Sequence, residues 1–224
     1  MGAHFIQGFS GLAATAKWTS PLAFVSRETS ELCPVFFPAK PTSQFIRDFL
    51  STQKNQPFSY AHVGASREQA PRGYDVDRHR VQLGAGVDIF KKARRAIQQW
   101  KMFSMPWLTL CWPDTPIEAN ATVAVLASHA GFWSLNACRI VYVIEEHGAR
   151  EKYGFAYGTL PAHAERGEER FTVEFRPEDD SVWYDVYAFS RPRLMARLAY
   201  PYARLLQRRF AKDSMNAMKE AIRQ

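Results

Sequence analysis

The sequence predicts an α+β fold in which a curved antiparallel β-sheet packs on a long C-terminal α-helix, with a smaller helical part before the sheet. Strand-like segments follow one another closely between residues 121 and 190, without the intervening helices that a parallel sheet requires. Residues 193–222 then repeat apolar side chains at helical spacing. These side chains are Leu198, Tyr202, Leu206, Phe210, Ala217 and Ala221. A straight helix of that span is roughly 40 Å long, enough to cross a whole sheet.

The length and composition fit one globular domain that follows an N-terminal segment of different character. Of the 224 residues, 46% are hydrophobic and 14% aromatic, which suffices for a full core. Residues 1–32 are rich in Ser, Thr, Gly and Ala, and we expect a poorly ordered extension there. Residues 33–224 form the single α+β domain. No apolar run approaches the ~20 residues of a membrane span, so we expect a soluble or peripheral protein.

The cysteines indicate a reducing compartment. Cys33, Cys111 and Cys138 cannot all pair within one chain, and the last two lie in predicted strands. Reduced, buried thiols are the plain interpretation, and they favour a cytoplasmic location. The chain has no C-x-x-C and no H-E-x-x-H pattern, so we predict neither a metal site nor a cofactor.

The N-terminal part of the domain opens with a helix and a long loop. Thr42 or Ser43 can cap the helix, and Pro57 ends it. Residues 55–75 then form a loop of unusual length. We expect this loop to act as a lid over a binding site.

A strand over residues 74–83 leads into a second helix. Phe90, Ala93, Ile97 and Trp100 fall on one face of that helix. The glycines between the two elements, Gly84 and Gly86, are read as a turn. A dinucleotide fingerprint fails because Ile89 occupies the position of its third glycine.

The antiparallel run follows. The predicted strands cover residues 107–112, 121–128, 137–145, 153–160, 170–176 and 181–190. In the fifth of these, Phe171, Val173 and Phe175 alternate with polar residues, the period of a half-buried antiparallel strand. Residues 178–180 form the hairpin turn into the sixth.

Several long motifs resemble a known family, the domain of unknown function 1990 family. They are NACRIVYV at residues 136–143, FAYGTLP at 155–161, HAERGEERF at 163–171, SVWYD at 181–185 and AFSRP at 188–192. Shorter matches are PFSY at 57–60, GYD at 73–75 and WPDTPI at 112–117. The resemblance covers about residues 34–222 and leaves residues 1–32 outside.

This family has no established reaction, so the resemblance implies no catalytic residues. Its element order is similar to that of the START-like, helix-grip superfamily of hydrophobic-ligand binders. That similarity concerns architecture, and a fold does not determine a function.

The densest set of ionisable side chains lies between the fourth and fifth predicted strands. His163 and Glu165 share a face if the chain is extended there, and Glu168, Glu169 and Arg170 follow. A histidine beside a carboxylate can act as a general base, and Asp185 is a further candidate for proton transfer. The alternative is a charged hairpin turn with Gly167 at its tip.

Aromatic and polar side chains of the strands are candidates for a ligand pocket. The aromatic set is Trp107, Trp112, Trp133, Tyr142, Tyr157, Trp183, Tyr184 and Tyr187. Sheet aromatics also serve as plain core. The candidates for ligand binding are Trp133, Asn136, Arg139, Tyr157, His163, Trp183 and Tyr187.

Basic residues recur along the C-terminal helix, in a chain whose net charge is +7. They are Arg193, Arg197, Arg204, Arg208 and Lys212, which we call the basic stripe. A solvated outer face and a contact with anionic lipid are both compatible with this spacing. No nucleic-acid-binding motif is present, so a nucleic-acid partner is not favoured.

Three functions remain open from the sequence. The preferred one is a binder of a hydrophobic small molecule or lipid, in a cavity between the sheet and the C-terminal helix. The second is an enzyme of cyclase, isomerase or hydrolase type that acts on an apolar substrate in the same cavity. The third is a peripheral module that uses the basic stripe to contact an anionic membrane or a partner. No catalytic motif favours the enzyme.

Overall fold

The computed structural model describes residues 35–192 and 200–223, and a curved antiparallel sheet dominates this part of the chain. The strands are β1 Val35–Phe37, β2 Asp75–Ala85, β3 Leu108–Cys111, β4 Thr122–His129, β5 Phe132–Glu146, β6 Glu151–Thr159, β7 Glu165–Arg176 and β8 Ser181–Pro192. The helices are α1 Ser43–Gln53, α2 Val87–Gln98 and α3 Tyr200–Ala221. The expected extension at residues 1–32 lies outside the described residues.

Strands β3 to β8 form an antiparallel meander, and the first long strand, β2, pairs with β8 at one edge of the sheet. The strand order is β2-β8-β7-β6-β5-β4-β3, with β1 paired to β5. Every pair is antiparallel. A curved antiparallel sheet with one long C-terminal helix is the predicted fold class, and it is confirmed.

Side-chain alternation gives the sheet two faces, and partners across neighbouring strands share a face. On one face Tyr157 pairs with Glu169 and Phe155 with Phe171. This face packs against α2 and α3, and we call it the inner face. Its core includes Trp100, Phe103, Phe155, Phe171, Tyr184 and Met218.

The outer face is covered by the chain before β2. On it, α1 packs Ile46 and Phe49 against Leu126 and Leu135. Thr42 caps α1, since its hydroxyl accepts a hydrogen bond from the Phe45 backbone at 3.2 Å, as the sequence predicts. The following loop carries a short 3-10 helix at Ala65–Arg67 and packs against β7 and β8.

Strand β7 begins earlier than its periodicity predicts. The alternation that starts at Phe171 extends back to Glu165, so the residues around Gly167 lie in β7 and do not form a turn. A Cβ atom on Gly167 would lie 1.9 Å from the Phe189 carbonyl oxygen. Glycine is therefore needed here for the close approach of β8, which corrects the interpretation of Gly167 as the tip of a hairpin.

The cysteine prediction holds for the described residues. Cys111 and Cys138 lie in β3 and β5 and are free and buried. Burial raises the pKa of both thiols, that of Cys111 to about 11. Neither is a ready nucleophile, because the neutral thiol dominates at physiological pH. Within the described residues, no helix is long and apolar enough to cross a bilayer.

Candidate functional site

A cavity of about 500 Å³ lies between the inner face of the sheet and the first half of α3. Apolar side chains of both walls form most of its lining. The sheet and the segment before it contribute Phe103, Trp107, Leu108, Val125, Ala127, Val186 and Ala188, and α3 contributes Tyr202, Ala203, Leu206 and Phe210. Phe36 and Tyr202 are the exposed large apolar residues of the lining, so we place the opening beside them.

The cavity exists because the two halves of α3 are held differently. In the second half, Ala211, Ser214 and Met218 are buried against the core. Ser214 also shares a 2.7 Å hydrogen bond with Tyr184. The first half is held by polar side chains that bridge to the edge of the sheet, so helix and sheet stay apart between the bridges.

Two residues of α3 form these bridges. Arg204 makes a bidentate ion pair with Asp77 of β2, at 2.5 and 2.7 Å. One turn later, the Gln207 amide donates hydrogen bonds to Glu165 at 2.6 Å and to Ser190 at 3.0 Å. The bridges therefore tie α3 to β2, β7 and β8 at once.

Glu169 is the central ionisable group of the cavity wall. It lies on β7 and accepts a 2.7 Å hydrogen bond from the Tyr157 hydroxyl on β6. Burial raises the pKa of Glu169 to about 8, and the charges of Glu165 and Asp77 act in the same direction. The Tyr157 hydrogen bond opposes this rise without cancelling it. At neutral pH the Glu169 carboxyl is therefore largely protonated.

Glu165 lies four residues earlier on the same face. Burial raises its pKa as well, against the hydrogen bonds from Gln207 and Ser190, which favour the ionised form. The cavity thus holds two carboxyls whose protonation differs from that of an exposed glutamate. Groups of this kind can store or transfer a proton, or hold a ligand that carries a donor.

His163 and Asn136 brace the turn between β6 and β7. The His163 Nδ1 atom accepts a 3.0 Å hydrogen bond from the Glu165 backbone. The Asn136 side-chain oxygen accepts one from the Ala164 backbone at 3.2 Å. Both side chains line the cavity while they support the start of β7.

Comparison with known proteins places the chain in a family. The model of a family described as "Domain of unknown function (DUF1990)" matches residues 59–217. The chain belongs to the DUF1990 family. The resemblance inferred from the sequence motifs is therefore confirmed.

Relatives in this family carry the name UPF0548 protein. One from Dictyostelium discoideum is 33% identical over 202 residues, which cover 82% of this chain and 94% of the relative. One from Deinococcus radiodurans is 35% identical over 191 residues, which cover 80% and 94%. One from Arabidopsis thaliana is 33% identical over 164 residues, which cover 71% and 79%.

Solved structures with a similar fold are much more distant. Human STARD10 is 11% identical with a TM-score of 0.42, over 82% of this chain and 80% of that chain. Ara h 8.0201 is 11% identical with a TM-score of 0.42, over 67% and 98%. These similarities concern the fold alone.

The structure separates the ligand-binding residues predicted for this DUF1990 chain into two groups. Asn136, Tyr157 and His163 line the cavity. Trp133, Arg139, Trp183 and Tyr187 do not. The last two lie on β8 at positions that alternate with the cavity-lining Val186 and Ala188, so they point to the outer face.

The four residues outside the cavity have other contacts. Arg139 donates hydrogen bonds to the backbone carbonyls of Gln53, Lys54 and Gln56, at the end of α1. The Tyr187 hydroxyl accepts one from the Ala70 backbone at 3.0 Å. Trp183 lies under the Arg80 guanidinium, with 4.9 Å between them, and Trp133 lies 5.5 Å from the Lys40 ammonium.

The structure also divides the proton-transfer candidates between the cavity and the outer face of the sheet. His163 and Glu165 line the cavity. The Glu168 carboxylate is enclosed on the outer face by the loop over residues 55–74. Asp185 also lies on the outer face, 3.3 Å from Arg78 and 3.6 Å from Arg170.

The same loop corrects the expectation of a lid. Its hydrogen bonds reach Glu168 and Tyr187 on the outer face, and none of residues 55–74 lines the cavity. The physical reason is that buried donors of the loop find their acceptor in Glu168, which holds the loop to the side of the sheet opposite α3.

Glu169 belongs to the ionisable cluster that the sequence indicated, but it was not among the residues chosen for proton transfer or ligand binding. The available signal was the alternation of Phe171, Val173 and Phe175, all of which are buried against the core. Extended backwards by two residues, this alternation places Glu169 on the inner face and Glu168 on the outer one. Because the stretch around Gly167 was interpreted as a turn, Glu169 was not assigned to the inner face.

The basic stripe is partly outside the described residues and partly turned inward. Arg193 and Arg197 lie outside the description. Arg204 is 18% exposed and is paired with Asp77, so it does not belong to a solvent-facing stripe. Arg208 and Lys212 are exposed. The described part of the stripe therefore presents two exposed cations.

Proposed function

We propose that this protein binds a hydrophobic small molecule or lipid in the cavity between the sheet and α3. The observation that carries the proposal is the cavity itself: about 500 Å³ of space with a mainly apolar lining. Pockets for drug-sized ligands have volumes of roughly 300–1,000 Å³, mostly apolar walls and a few convergent polar groups. The cavity has each of these properties.

Apolar area supplies the affinity in such a site. Removal of ligand and wall surface from water contributes about 25 cal/mol for each Å² of apolar area. The wall offers aromatic and aliphatic side chains from both the sheet and α3. The polar end, with Glu165, Glu169 and Gln207, orients the ligand.

Native mass spectrometry of the protein purified from its own source tests the proposal first. We expect a bound mass that solvent extraction releases as an apolar compound. A protein that is uniformly free of ligand, and that also fails to bind apolar fluorescent probes, contradicts the proposal.

Two adjacent leucines provide matched variants for the probe assay. Leu206 lines the cavity, whereas Leu205 is 60% exposed and is not part of the lining. Leu206→Trp fills part of the cavity, so we expect it to weaken probe binding at least tenfold. Leu205→Trp adds the same side chain to the same helix without entering the cavity, and we expect wild-type binding. Equal binding by the two variants places the probe elsewhere.

An enzyme in the same cavity is the second candidate, and the Glu169–Tyr157 pair is the observation that favours it. A carboxyl that is largely protonated near pH 7 and lies on an apolar cavity can act as a general acid or base. The test is incubation of the protein with its extracted ligand in D₂O, followed by mass spectrometry of the ligand. Deuterium incorporation at carbon that Glu169→Gln abolishes supports catalysis, and an unlabelled ligand argues against proton transfer to carbon.

A contact with an anionic membrane through the basic stripe is the least supported of the three functions. Lipid-binding basic clusters carry about four to eight cations, whereas the described part of the basic stripe presents Arg208 and Lys212.

A further inference from the structure

One oxygen of Glu169 has no partner in the described structure. Tyr157 donates to Oε2, and across residues 35–192 and 200–223 no donor reaches Oε1. An ionised carboxylate accepts up to about four hydrogen bonds. Because Glu169 belongs to the cavity wall, a ligand in the cavity can supply a donor to Oε1.

Acidic side chains outnumber permanent cations in the cavity wall. The described lining residues include Asp77, Glu165 and Glu169, together with Glu168, whose carboxylate is bound on the outer face. They also include three histidines, but neither a lysine nor an arginine. The chain as a whole has 29 Lys and Arg against 22 Asp and Glu. The wall therefore has the opposite charge balance to the rest of the molecule.

The positive charge next to this wall is already paired. Arg204 is bidentate with Asp77, and the same guanidinium donates to the Gln207 side-chain oxygen at 2.6 Å. This pairing offsets the Asp77 charge. Glu165 and Glu169 are left with neutral donors alone, from Gln207 and Tyr157.

The surroundings of Glu169 are acidic or neutral on every element that packs against it. The titratable groups that interact with it are Tyr157 on β6, Cys138 on β5, Tyr184 on β8, Glu165 on β7 and Asp77 on β2. Burial, the largest cause of the raised Glu169 pKa, disfavours a charge of either sign. The negative charges of Glu165 and Asp77 raise the pKa further, and their potential favours a positive charge beside Glu169.

We propose that the ligand is an apolar molecule with one amine group, which binds as an ammonium ion that donates a hydrogen bond to Glu169 Oε1. This inference rests on the proposed function and specifies the ligand class of the same cavity. The apolar body of the ligand contacts Val125, Ala127, Leu206 and Phe210, and the ammonium lies at the end of the cavity formed by Tyr157, Glu165 and Glu169.

Binding of the ammonium ion changes the protonation of Glu169. Below about pH 8 the empty site carries a protonated Glu169. The ammonium enters with its three protons, Glu169 releases its proton to solvent, and the two form an ion pair with a charge-assisted hydrogen bond. Binding therefore releases up to one proton below that pH, and amine affinity increases as the pH approaches 8.

Three probes of equal length distinguish this inference from the proposed function. Decylamine, decanol and decanoate share an apolar chain and differ in charge at one end. We expect decylamine to bind at least tenfold more tightly than decanol at pH 8, and decanoate to bind most weakly. From pH 6 to pH 8 the decylamine affinity should increase by about tenfold or more, whereas that of decanol stays constant. Calorimetry in two buffers of different ionisation enthalpy measures the number of protons that decylamine binding releases.

Glu169→Gln is the decisive variant, and Glu146→Gln is its matched control, since Glu146 is exposed at the end of β5. Glu169→Gln should remove the amine preference, the proton release and the pH dependence, while decanol binding persists. Glu146→Gln should change none of these.

Different outcomes contradict different claims. Decanol or decanoate binding that equals decylamine binding, or an amine preference that survives Glu169→Gln, overturns the amine inference and leaves the cavity proposal intact. If no probe binds at pH 8, or if Leu206→Trp leaves all binding unchanged, the cavity proposal fails and the amine inference fails with it.

Discussion

Glu168 and Glu169 are neighbours in β7, yet they occupy opposite faces of the sheet and have opposite surroundings. The Glu168 carboxylate is on a residue that is 2% exposed, and it accepts hydrogen bonds from Tyr60, from the Gly64 backbone and from both the backbone and hydroxyl of Ser66. Glu169 accepts one, from Tyr157. The first site is closed by the protein itself, and the second is open to a ligand.

The difference shows how a buried carboxyl can serve structure or binding. Donors that surround Glu168 belong to the loop over residues 55–74, so the carboxylate holds that loop against the sheet. The Glu169 carboxyl faces a cavity in which no further donor comes from the described residues, so a ligand can supply one. Satisfaction of hydrogen-bonding capacity, more than burial itself, separates the two roles.

The largest effect should come from removing the carboxylate of the closed site. Glu168→Ala leaves the Tyr60 hydroxyl, the Ser66 hydroxyl and two backbone donors without their acceptor. We expect a loss of roughly 3–5 kcal/mol in the free energy of unfolding, measured in urea, because a buried charged network is broken. Glu146→Ala, at an exposed site, should change it by less than about 0.5 kcal/mol. A loss below about 1 kcal/mol for Glu168→Ala contradicts a structural role for this residue.

The next effect tests the close strand contact that places the two glutamates. Gly167→Ala puts a Cβ atom 1.9 Å from the Phe189 carbonyl oxygen, so β7 and β8 must separate. We expect a loss of about 2–3 kcal/mol in the free energy of unfolding, the upper range for overpacking. Gly84→Ala is the matched control, because its Cβ meets a flexible Ile89 side-chain atom at 3.4 Å. Similar losses for the two variants show that the β7–β8 approach is not the constraint.

A pH-dependent effect distinguishes the two faces. The folded-state pKa of Glu169 lies above its unfolded value, so its favourable contribution is complete below about pH 4.5 and is lost as the pH rises through about 8. Glu169→Gln should therefore match the wild type near pH 5 and exceed it by a few kcal/mol near pH 9. Thermal unfolding across this pH range measures the crossover.

Glu174, on the outer face, provides the control of opposite sign. Burial acts to raise its pKa, but the hydrogen bond from Arg176 and the charges of Arg80 and Arg176 outweigh burial and lower it. Its contribution is present above the unfolded pKa and is lost as the pH falls through the lowered one. Glu174→Gln should therefore be less stable than the wild type at neutral pH and converge with it in acid. Parallel pH profiles for the two variants contradict the distinction between the faces.

The smallest effect concerns the single donor of the open site. Tyr157→Phe removes the hydroxyl that favours the ionised form of Glu169, so the pKa of Glu169 should rise further. The free energy of unfolding should fall by only about 1 kcal/mol, the usual net value of one hydrogen bond. Carbon-detected NMR titration of the Glu169 carboxyl measures the pKa. A pKa that falls in the variant rules out this role for Tyr157.

Much of the fold could be predicted because its signals are local. Thr42 precedes a run with helical spacing, and it caps α1 as expected. The alternation of Phe171, Val173 and Phe175 indicated an antiparallel strand with one buried face, and β7 has one. Such signals depend on neighbours in the chain, so periodicity suffices to read them.

The candidate site was only partly predictable, because its assembly depends on contacts that local periodicity does not record. Asn136, Tyr157 and His163 were chosen for their chemistry and lie in the cavity. Trp183 and Tyr187 were chosen on the same grounds but face the other side of the sheet. Their face followed from the register of β8, which becomes certain only when its partner strands are known.

The sequence by itself determined the order of strands and helices, the family, and the burial of Cys111 and Cys138, because each depends on local pattern or on motif identity. The tertiary structure decided that the loop over residues 55–74 lies on the outer face of the sheet and that a cavity lies between the inner face and α3. It also decided that Arg204 pairs with Asp77, which is 127 residues away. Contacts of such separation depend on how the whole sheet curves against α3, and a period of two or of 3.6 residues carries no information about them.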